Sequence, residues 1–284
     1  MSRIVCVNGE YLDEAEARIS VFDRGFLFAD AVYEVTAVLD GRLVDFPAHL
    51  ARLHRSLDAL RLPAPATDEE ITAIHRELVA RNALVEGLIY LQISRGAADR
   101  DFLFPSEPRP SLVAFTQARP LVETEAARKG IGIVTLPDLR WARRDIKTVQ
   151  LLAPSLTRMQ ARESGADDAW MVEHGFVTEG TSSNAWIVRA DGRIITRDLS
   201  PSILHGITRS AVLACAREAG LTIEERPFTP EEAREAAEAF VTAASAFVTP
   251  VVTIDGTVIG DGTPGPVTTR LREIYVAESR RRAI

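Results

Sequence analysis

Lysine is the residue type that this chain most conspicuously lacks. Of its 33 lysine and arginine residues, only Lys129 and Lys147 are lysine, so 31 are arginine. A guanidinium stays protonated at any ordinary pH, whereas a desolvated lysine amine can lose its proton and attack a carbonyl carbon to form a Schiff base. A lone lysine is more often a surface charge than a nucleophile. In a chain that uses arginine so consistently, however, we expect a surface charge to be arginine.

Disulfide, metal-binding and membrane-spanning patterns are also missing. The two cysteines, Cys6 and Cys215, and the five histidines show none of the spacings typical of a disulfide framework or a metal site. No apolar run approaches the length of a membrane span, and the N-terminus has no signal-peptide pattern. The net charge of −7 disfavours non-specific binding to nucleic acid or to an anionic membrane. These absences predict a soluble, cytoplasmic, metal-independent protein.

Local patterns indicate a mixed α/β protein with a sizeable core, since 46% of the residues are hydrophobic. Asn8–Gly9 and Asp40–Gly41 each separate β-prone runs, which is typical of hairpin turns. Thr67 and Glu70 form a capping-box pattern at the start of an amphipathic helix. The succession of strand-like and helix-like segments is interrupted at Pro120. We therefore expect an N-terminal α/β domain at residues 1–118, an interdomain loop at 119–123 and a C-terminal domain at 124–284.

The two lysines have different surroundings in the sequence. Lys129 precedes Gly130 in a segment typical of a helix end, where a cation interacts favourably with the last carbonyl groups. Lys147 lies between a strand-like stretch and a helix-like stretch. Our working hypothesis is that Lys147 is an amine that binds a carbonyl compound.

Three further signals are weak alone but form a set with Lys147. Gly206–Arg209 opens a helix whose first N–H groups would attract an anion, although by itself the segment is more often an ordinary helix start. Glu179–Asn184 is a polar turn, which is either a hydrophilic loop or a carboxylate held among hydroxyl groups. Arg52 could grip a phosphate or lie on a solvated helix face. Pyridoxal phosphate requires this set: an amine for its aldehyde, an anion for its ring nitrogen and donors for its phosphate.

Six short motifs occur in an order and spacing typical of one enzyme family. They are Asp23–Gly25, Asp30–Val35, Arg140–Trp141, Asp145–Lys147, Thr178–Asn184 and Gly206–Arg209. Together they resemble the fold-type IV pyridoxal-phosphate enzymes, most closely the D-amino acid transaminases. The resemblance implies a two-domain α/β (α+β) fold with a smaller N-terminal lobe and a larger C-terminal lobe that has a barrel-like β core. It also implies a homodimer.

The resemblance assigns a role to each candidate residue. Lys147 carries the cofactor as a Schiff base and later moves a proton, and Glu179 faces the pyridine nitrogen. Arg52, Ile207 and Thr208 match the phosphate site, while Tyr33 and Arg140 lie beside the Schiff base and Leu204 packs on the ring. The predicted cofactor contacts are Tyr33, Arg52, Arg140, Glu179, Ser183, Leu204, Ile207, Thr208 and Ser245. The predicted substrate contacts are Tyr33, Arg100, Phe102, Ala243 and Ala244.

The chain departs from the D-amino acid transaminases at three positions. Those enzymes capture the substrate carboxylate with an arginine and a histidine two residues apart, whereas this chain keeps Arg100 and has Phe102 in place of the histidine. Ala244 stands where they place a threonine hydroxyl on the phosphate, and a backbone N–H or Ser245 would have to replace it. Phe247 stands where a polar residue is usual, which indicates a more apolar pocket.

The sequence therefore favours a ping-pong transaminase that moves an amino group from a D-amino acid, with D-alanine as the natural test, to a 2-oxo acid. One alternative is an (R)-selective amine transaminase, because Phe102 replaces the histidine that helps to bind the substrate carboxylate. A branched-chain aminotransferase or an aminodeoxychorismate lyase would share the fold. A catalytically silent cofactor-binding protein is disfavoured, since the lysine needed only for chemistry is present.

Overall fold

The structure, a computed structural model, describes residues 2–284, and these residues form two compact units. The first unit contains the chain up to Pro120 together with Ile146–Gln150 and Arg280–Ile284. The second contains Leu121–Asp145 and Leu151–Ser279. Helices and strands occur in both units, so the prediction of a mixed α/β protein is confirmed.

The first unit is built on a six-stranded antiparallel sheet. Its strands are β1 (Ile4–Val7), β2 (Glu10–Asp13), β3 (Ala31–Leu39), β4 (Arg42–Leu43), β5 (Gly87–Ser94) and β6 (Ser111–Ala118), in the order β2-β1-β6-β5-β3-β4. Three helices accompany it: α1 (Arg24–Phe28), α2 (Phe46–Ala59) and α3 (Asp68–Arg81). The hairpin turns at Asn8–Gly9 and Asp40–Gly41 are confirmed, and all four residues have the positive φ that tight two-residue hairpins require.

The helices α2 and α3 bury their apolar faces in one core with the sheet. Leu53 and Leu57 of α2 and Ile71 and Leu78 of α3 are buried in the same cluster as strand residues such as Ile89. The predicted capping box is confirmed at the start of α3. There the Glu70 N–H donates to Thr67 Oγ1 at 3.2 Å, and the Thr67 N–H donates to Glu70 Oε2 at 2.8 Å.

The second unit contains a nine-stranded mixed sheet. The strands are β7 (Ile131–Pro137), β8 (Asp168–Glu173), β9 (Phe176–Gly180), β10 (Asn184–Val188), β11 (Ile194–Thr196), β12 (Ile223–Glu225), β13 (Glu238–Ala243), β14 (Phe247–Ile254) and β15 (Thr257–Val258). The order is β12-β11-β10-β13-β14-β7-β8-β9, with β15 paired to β14. The helices are α4 (Glu125–Lys129), α5 (Leu152–Glu163), α6 (Ile207–Glu218), α7 (Pro230–Arg234) and α8 (Pro266–Arg282). The last turn of α8 groups with the first unit.

The segment Ile146–Gln150 groups with the first unit, whereas the sequence pattern placed it within a continuous domain at 124–284. Its backbone pairs with the beginning of β3. The Tyr33 N–H donates to the Lys147 carbonyl at 3.0 Å, and the Val149 N–H donates to the Ala31 carbonyl at 3.2 Å. This edge of β3 is open there because the two-residue β4 pairs only with Val38–Leu39. A distant piece of chain therefore completes the sheet.

Two further properties concern the whole described chain. Both cysteines, Cys6 and Cys215, are buried, and neither forms a disulfide bond. Within residues 2–284, each helix is either too short or too polar to cross a lipid bilayer.

Candidate active-site residues

Lys147 is held in the first unit by its own backbone. In addition to the bond from Tyr33, the Lys147 N–H donates to Ser56 Oγ on α2 at 3.3 Å. The half-buried side chain places its amine nitrogen 4.0 Å from the centroid of the Tyr33 ring. Lys129 is different, because its side chain is 66% exposed and pairs with Glu125 one helical turn away. The structure therefore separates a surface lysine from one that is fixed in the interior.

The Tyr33 ring that faces the Lys147 amine is supported by further aromatic residues. It stacks on Tyr90 at a centroid distance of 5.6 Å, and Tyr90 stacks on Phe115 at 4.9 Å. Burial raises the pKa of Tyr90, whose hydroxyl donates to Gln92 Oε1 at 2.8 Å. The hydroxyl of Tyr90 therefore stays protonated at neutral pH, and the ring stack fixes the face of Tyr33 beside Lys147.

Arg52 on α2 is buried and is not part of a solvated helix face. Its Nε and Nη2 atoms donate to the two oxygens of Glu34 on β3, at 2.8 and 2.7 Å. His49 Nδ1 lies 2.7 Å from Glu34 Oε2. Burial alone would raise the pKa of Glu34, but Arg52 and His49 outweigh it and lower that pKa. Sequence reasoning missed this cluster. Glu34 is the only charged residue of β3, and a charged residue in an apolar strand indicates a buried partner.

Glu179 is a buried carboxylate near the end of β9 in the second unit. Three donors surround it: Arg140 Nη1 at 2.6 Å, Asn184 Nδ2 at 2.9 Å and the Leu204 N–H at 3.1 Å from both oxygens. Burial raises the pKa of Glu179, and Arg140 opposes this rise without cancelling it. The three donors hold the carboxylate in one orientation.

Arg140 bridges two carboxylates. Its Nε and Nη2 atoms donate to Asp138 at 3.0 and 2.7 Å, while Nη1 donates to Glu179. Burial by itself would lower the pKa of Arg140, but Glu179 and Asp138 raise it. Thr178 Oγ1 also donates to Asp138, at 2.7 Å. Sequence reasoning missed Asp138, and only its position two residues before Arg140 pointed to it.

The N-terminus of α6 lies against the same network. Asn184 Nδ2 also donates to the Leu204 carbonyl at 3.0 Å, and a Cβ atom at Gly206 would be 2.0 Å from Asn184 Oδ1. Only glycine therefore fits at position 206. Gly206 caps α6 without a side-chain hydrogen bond, so the first N–H groups, from Ile207 onward, are not capped by a side chain and could bind an anion.

Ser183 is a second polar group close to Glu179 in the chain. Its hydroxyl is buried and has no hydrogen-bond partner within residues 2–284. A Cβ atom at Gly180 would lie 2.3 Å from the Ser183 hydroxyl, so a side chain there would displace this hydroxyl. A buried hydroxyl group without a protein partner is uncommon and is a feature of ligand sites.

The remaining candidates in the second unit lie on the turn between β13 and β14. Ala243 ends β13, and Ala244 and Ser245 are half-buried in the turn. Phe247 begins β14 with a positive φ of 57°. Its ring is fully buried against Tyr275 at a centroid distance of 5.4 Å, so it belongs to the core of this unit.

Arg100 and Phe102 lie on an exposed loop of the first unit. Phe102 is 81% exposed and makes an edge contact with Phe28 at 5.7 Å. The Arg100 guanidinium lies 5.4 Å from the Phe28 ring and 5.9 Å from the Phe102 ring. The loop is anchored by Arg24, which donates to the Asp101 carbonyl at 2.6 Å.

The structure thus brings together two subsets of the candidates. In the first unit Lys147 contacts Tyr33, and Arg52 is one helical turn from Ser56, which binds the Lys147 N–H. In the second unit Glu179 contacts both Arg140 and Leu204.

A family model described as amino-transferase class IV matches residues 31–254. The chain belongs to this family. This match contains Lys147, Glu179 and the N-terminus of α6, so the resemblance inferred from the motifs is confirmed at the level of the family.

Curated relatives cover nearly the whole chain. A D-alanine aminotransferase of Staphylococcus haemolyticus is 39% identical over 272 residues, which is 95% of each chain. A D-alanine aminotransferase of Bacillus licheniformis is 37% identical over 264 residues, which is 93% of each chain.

Solved structures of similar proteins share the architecture. The branched-chain aminotransferase of the archaeon Thermoproteus uzoniensis is 27% identical, with a TM-score of 0.88 and coverage of 97% of this chain and 94% of the other. Another branched-chain amino acid aminotransferase, whose structure contains pyridoxamine 5′-phosphate, is 28% identical. Its TM-score is 0.90, with coverage of 99% of this chain and 96% of the other. The predicted fold-type IV architecture is confirmed.

Proposed function

We propose that this chain is a pyridoxal-phosphate-dependent transaminase that moves an amino group from a D-amino acid, with D-alanine as a donor, to a 2-oxo acid. The observation that carries the proposal is the placement of Lys147. In a chain with two lysines, one forms a surface ion pair and the other holds its amine against Tyr33 in the interior. The identity of 39% with a D-alanine aminotransferase over 95% of the chain supports the choice of donor.

The residues present fit the cofactor. The amine of Lys147 suits its aldehyde, and the buried carboxylate of Glu179 suits a protonated ring nitrogen. The α6 N-terminus, which no side chain caps, and the guanidinium of Arg52 suit a phosphate. The buried hydroxyl of Ser183 supplies a further polar group for the ligand. We assign Ile207, Thr208, Arg52 and Ser245 to the phosphate, and Tyr33, Arg140, Ser183 and Leu204 to the rest of the cofactor.

When bound, pyridoxal phosphate supplies an electron sink for the bonding electrons of the substrate's Cα. Lys147 would hold the cofactor through Nζ, and once released it would be placed to take the proton from the substrate's Cα as a general base. Arg140, Asn184 and the Leu204 N–H all donate to Glu179 and favour its negatively charged form against the burial that raises its pKa. This charge favours a protonated pyridine nitrogen. Tyr33 fixes the position of the Lys147 amine.

The identity of the donor depends on the loop that carries Arg100. A guanidinium can bind the substrate carboxylate, for which we propose Arg100, with Phe102, Ala243 and Ala244 as further substrate contacts. A second candidate function is an (R)-selective amine transaminase. The observation in its favour is that Arg100 lies against the rings of Phe28 and Phe102 and so contributes apolar as well as charged surface. The 28% identity to a branched-chain enzyme keeps that activity as a further alternative.

A panel of donors tests the proposal directly. The holoprotein is mixed with D-alanine, L-leucine or (R)-1-phenylethylamine, without an acceptor, and the absorption band of the bound cofactor is followed. We expect D-alanine to bleach this band fastest. Fastest bleaching by L-leucine would instead assign the branched-chain activity, and no bleaching by any donor would reject a transaminase.

The variant Arg100→Ala separates the first two donor classes in the same assay. A charge-assisted hydrogen bond to a carboxylate is worth about 1.5–3 kcal/mol, so the half-reaction with D-alanine should slow about ten- to a hundredfold. The half-reaction with (R)-1-phenylethylamine, which has no carboxylate, should be unchanged or faster. Arg109→Ala, an exposed arginine nearby in the sequence, is the control and should leave both rates unchanged. Equal effects of Arg100→Ala on both donors would reject the carboxylate role.

A homodimer is also proposed, on the evidence of an exposed apolar surface in the first unit. The Ala98 N–H donates to the Phe22 carbonyl, which joins two segments that expose large apolar side chains. These are Val21, Phe22, Phe26, Phe102 and Leu103. Exposed apolar side chains on neighbouring segments favour an interface. Sedimentation equilibrium, which measures the mass, tests the dimer. We also propose a cytoplasmic location, since the absence of a disulfide bond between the two cysteines is typical of a reducing compartment.

A further inference from the structure

Arg272 on α8 binds four backbone carbonyl groups. Its Nη1 atom donates to Ala246 and Val248 at 3.0 and 2.6 Å, and its Nη2 atom donates to Leu121 and Val122, both at 2.7 Å. Within residues 2–284, all the hydrogen bonds described for this side chain go to carbonyl oxygens. Burial lowers the pKa of Arg272. Because a guanidinium is strongly basic, it stays charged at neutral pH and acts as a fixed fork of donors.

Two of these carbonyls lie in or just after the turn between β13 and β14. Arg272 therefore binds one carbonyl in the turn, at Ala246, and one just after it, at Val248. The Ala246 carbonyl also accepts from Thr249 Oγ1 at 2.9 Å, and the Ala246 N–H donates to the Ala243 carbonyl at 3.1 Å. Among residues 2–284, no protein acceptor is found for the backbone N–H of Ala244 or of Ser245. The turn is thus held through its carbonyl groups and presents its first two N–H groups.

The residue that directly follows the turn is strained. Phe247 has a φ of 57°, in the left-handed region where a residue with a side chain costs about 1–2 kcal/mol relative to the right-handed region. Its ring lies against Tyr275 and 5.9 Å from the Arg272 guanidinium. Arg272 and Tyr275 are three residues apart on one face of α8, so the same face binds both the carbonyls and the ring. Such strain persists only where surrounding contacts over-determine the conformation.

We propose that Arg272 is a positioning residue for the Ala244–Ala246 turn, and that it orients the N–H groups of Ala244 and Ser245 toward the phosphate group of the cofactor. This inference rests on the proposed function and deepens it. Ala244 has no hydroxyl to bind a phosphate, so the contribution of this turn has to come from its backbone and from Ser245. Backbone donors cannot adjust as a side-chain rotamer can, and their binding energy therefore depends on how rigidly the turn is held.

The experiment compares two ligands that differ only in the phosphate, pyridoxal 5′-phosphate and pyridoxal. Their dissociation constants are measured by the absorption of the bound ligand for the wild-type protein, Arg272→Gln and Arg272→Lys. Arg270→Gln, an exposed arginine on the same helix, is the control. We expect Arg272→Gln to raise the Kd of pyridoxal phosphate at least about tenfold and to change the Kd of pyridoxal less than about threefold. Arg272→Lys should behave similarly, because one ammonium group cannot bind four carbonyls in two directions.

The outcomes separate the inference from the proposed function. If wild-type protein binds neither ligand, the proposed function fails, whatever Arg272 does. If wild-type protein binds both but the variants weaken them equally, or weaken neither, the positioning role is overturned and the proposed function stands. If both Arg272 variants fail to fold, as judged by thermal melting beside Arg270→Gln, Arg272 serves stability alone and the inference is likewise overturned.

Discussion

Replacing Lys147 with alanine is expected to abolish the covalent attachment of pyridoxal phosphate and to reduce transamination by about 10³-fold or more, since both the nucleophile and the general base are lost. The visible absorption band of the lysine-bound cofactor should disappear. Borohydride reduction followed by peptide mapping should find no cofactor on the chain. Non-covalent binding through the phosphate should persist, because Arg52 and the α6 N-terminus are unchanged by the mutation.

Lys129→Ala is the matched control for this prediction. Lys129 is an exposed helical residue paired with Glu125 at 2.7 Å. Such exposed ion pairs contribute little to stability because solvent screens them, so activity and cofactor attachment should remain at the wild-type level. A reduced adduct that maps to Lys129 in the Lys147→Ala protein would contradict the assignment.

Replacing Glu179 with glutamine is expected to slow the half-reaction with D-alanine about 10²- to 10³-fold, the range observed when one preorganised electrostatic contact is lost. Glutamine preserves the size and much of the hydrogen bonding but removes the charge. Arg140 keeps Asp138 as an ionic partner, so the fold and the affinity for the cofactor should largely survive. Single-turnover rates measured by stopped-flow absorption test this.

The pH dependence gives a second, independent measure of Glu179. The carboxylate must be ionised to favour a protonated ring nitrogen, and burial raises the pKa of Glu179 above its ordinary value. As the pH is lowered, the wild-type rate should therefore begin to fall at a higher pH than it would if Glu179 had the pKa of an ordinary glutamate. Glu179→Gln should lose this dependence. Glu173→Gln, which removes a partly exposed carboxylate paired with Arg144, is the control and should keep both the rate and the profile. An unchanged single-turnover rate in Glu179→Gln would make Glu179 a structural turn residue.

Features that depend on neighbours along the chain could be predicted from the sequence alone. The turns at Asn8–Gly9 and Asp40–Gly41 follow from residues that tolerate a positive φ, and the capping box of Thr67 and Glu70 needs only one turn of helix. The scarcity of lysine directed attention to Lys147. The spacing of the polar motifs was sufficient to identify the family, because each motif is local and their order is preserved.

Contacts between distant segments were decided only by the tertiary structure. The pairing of Glu34 with Arg52 joins a strand to a helix, and Arg272 reaches carbonyls about 150 residues away at Leu121. In the same way, the Lys147 backbone completes the edge of β3. Hydrophobic periodicity shows which face of an element is buried but not which polar groups meet there, since buried donors and acceptors pair according to the packing of the whole unit. The sequence by itself therefore determined the local elements and the family and made Lys147 the candidate reactive lysine. The packing decided which side chains hold Arg52, Arg140 and the β13–β14 turn in place.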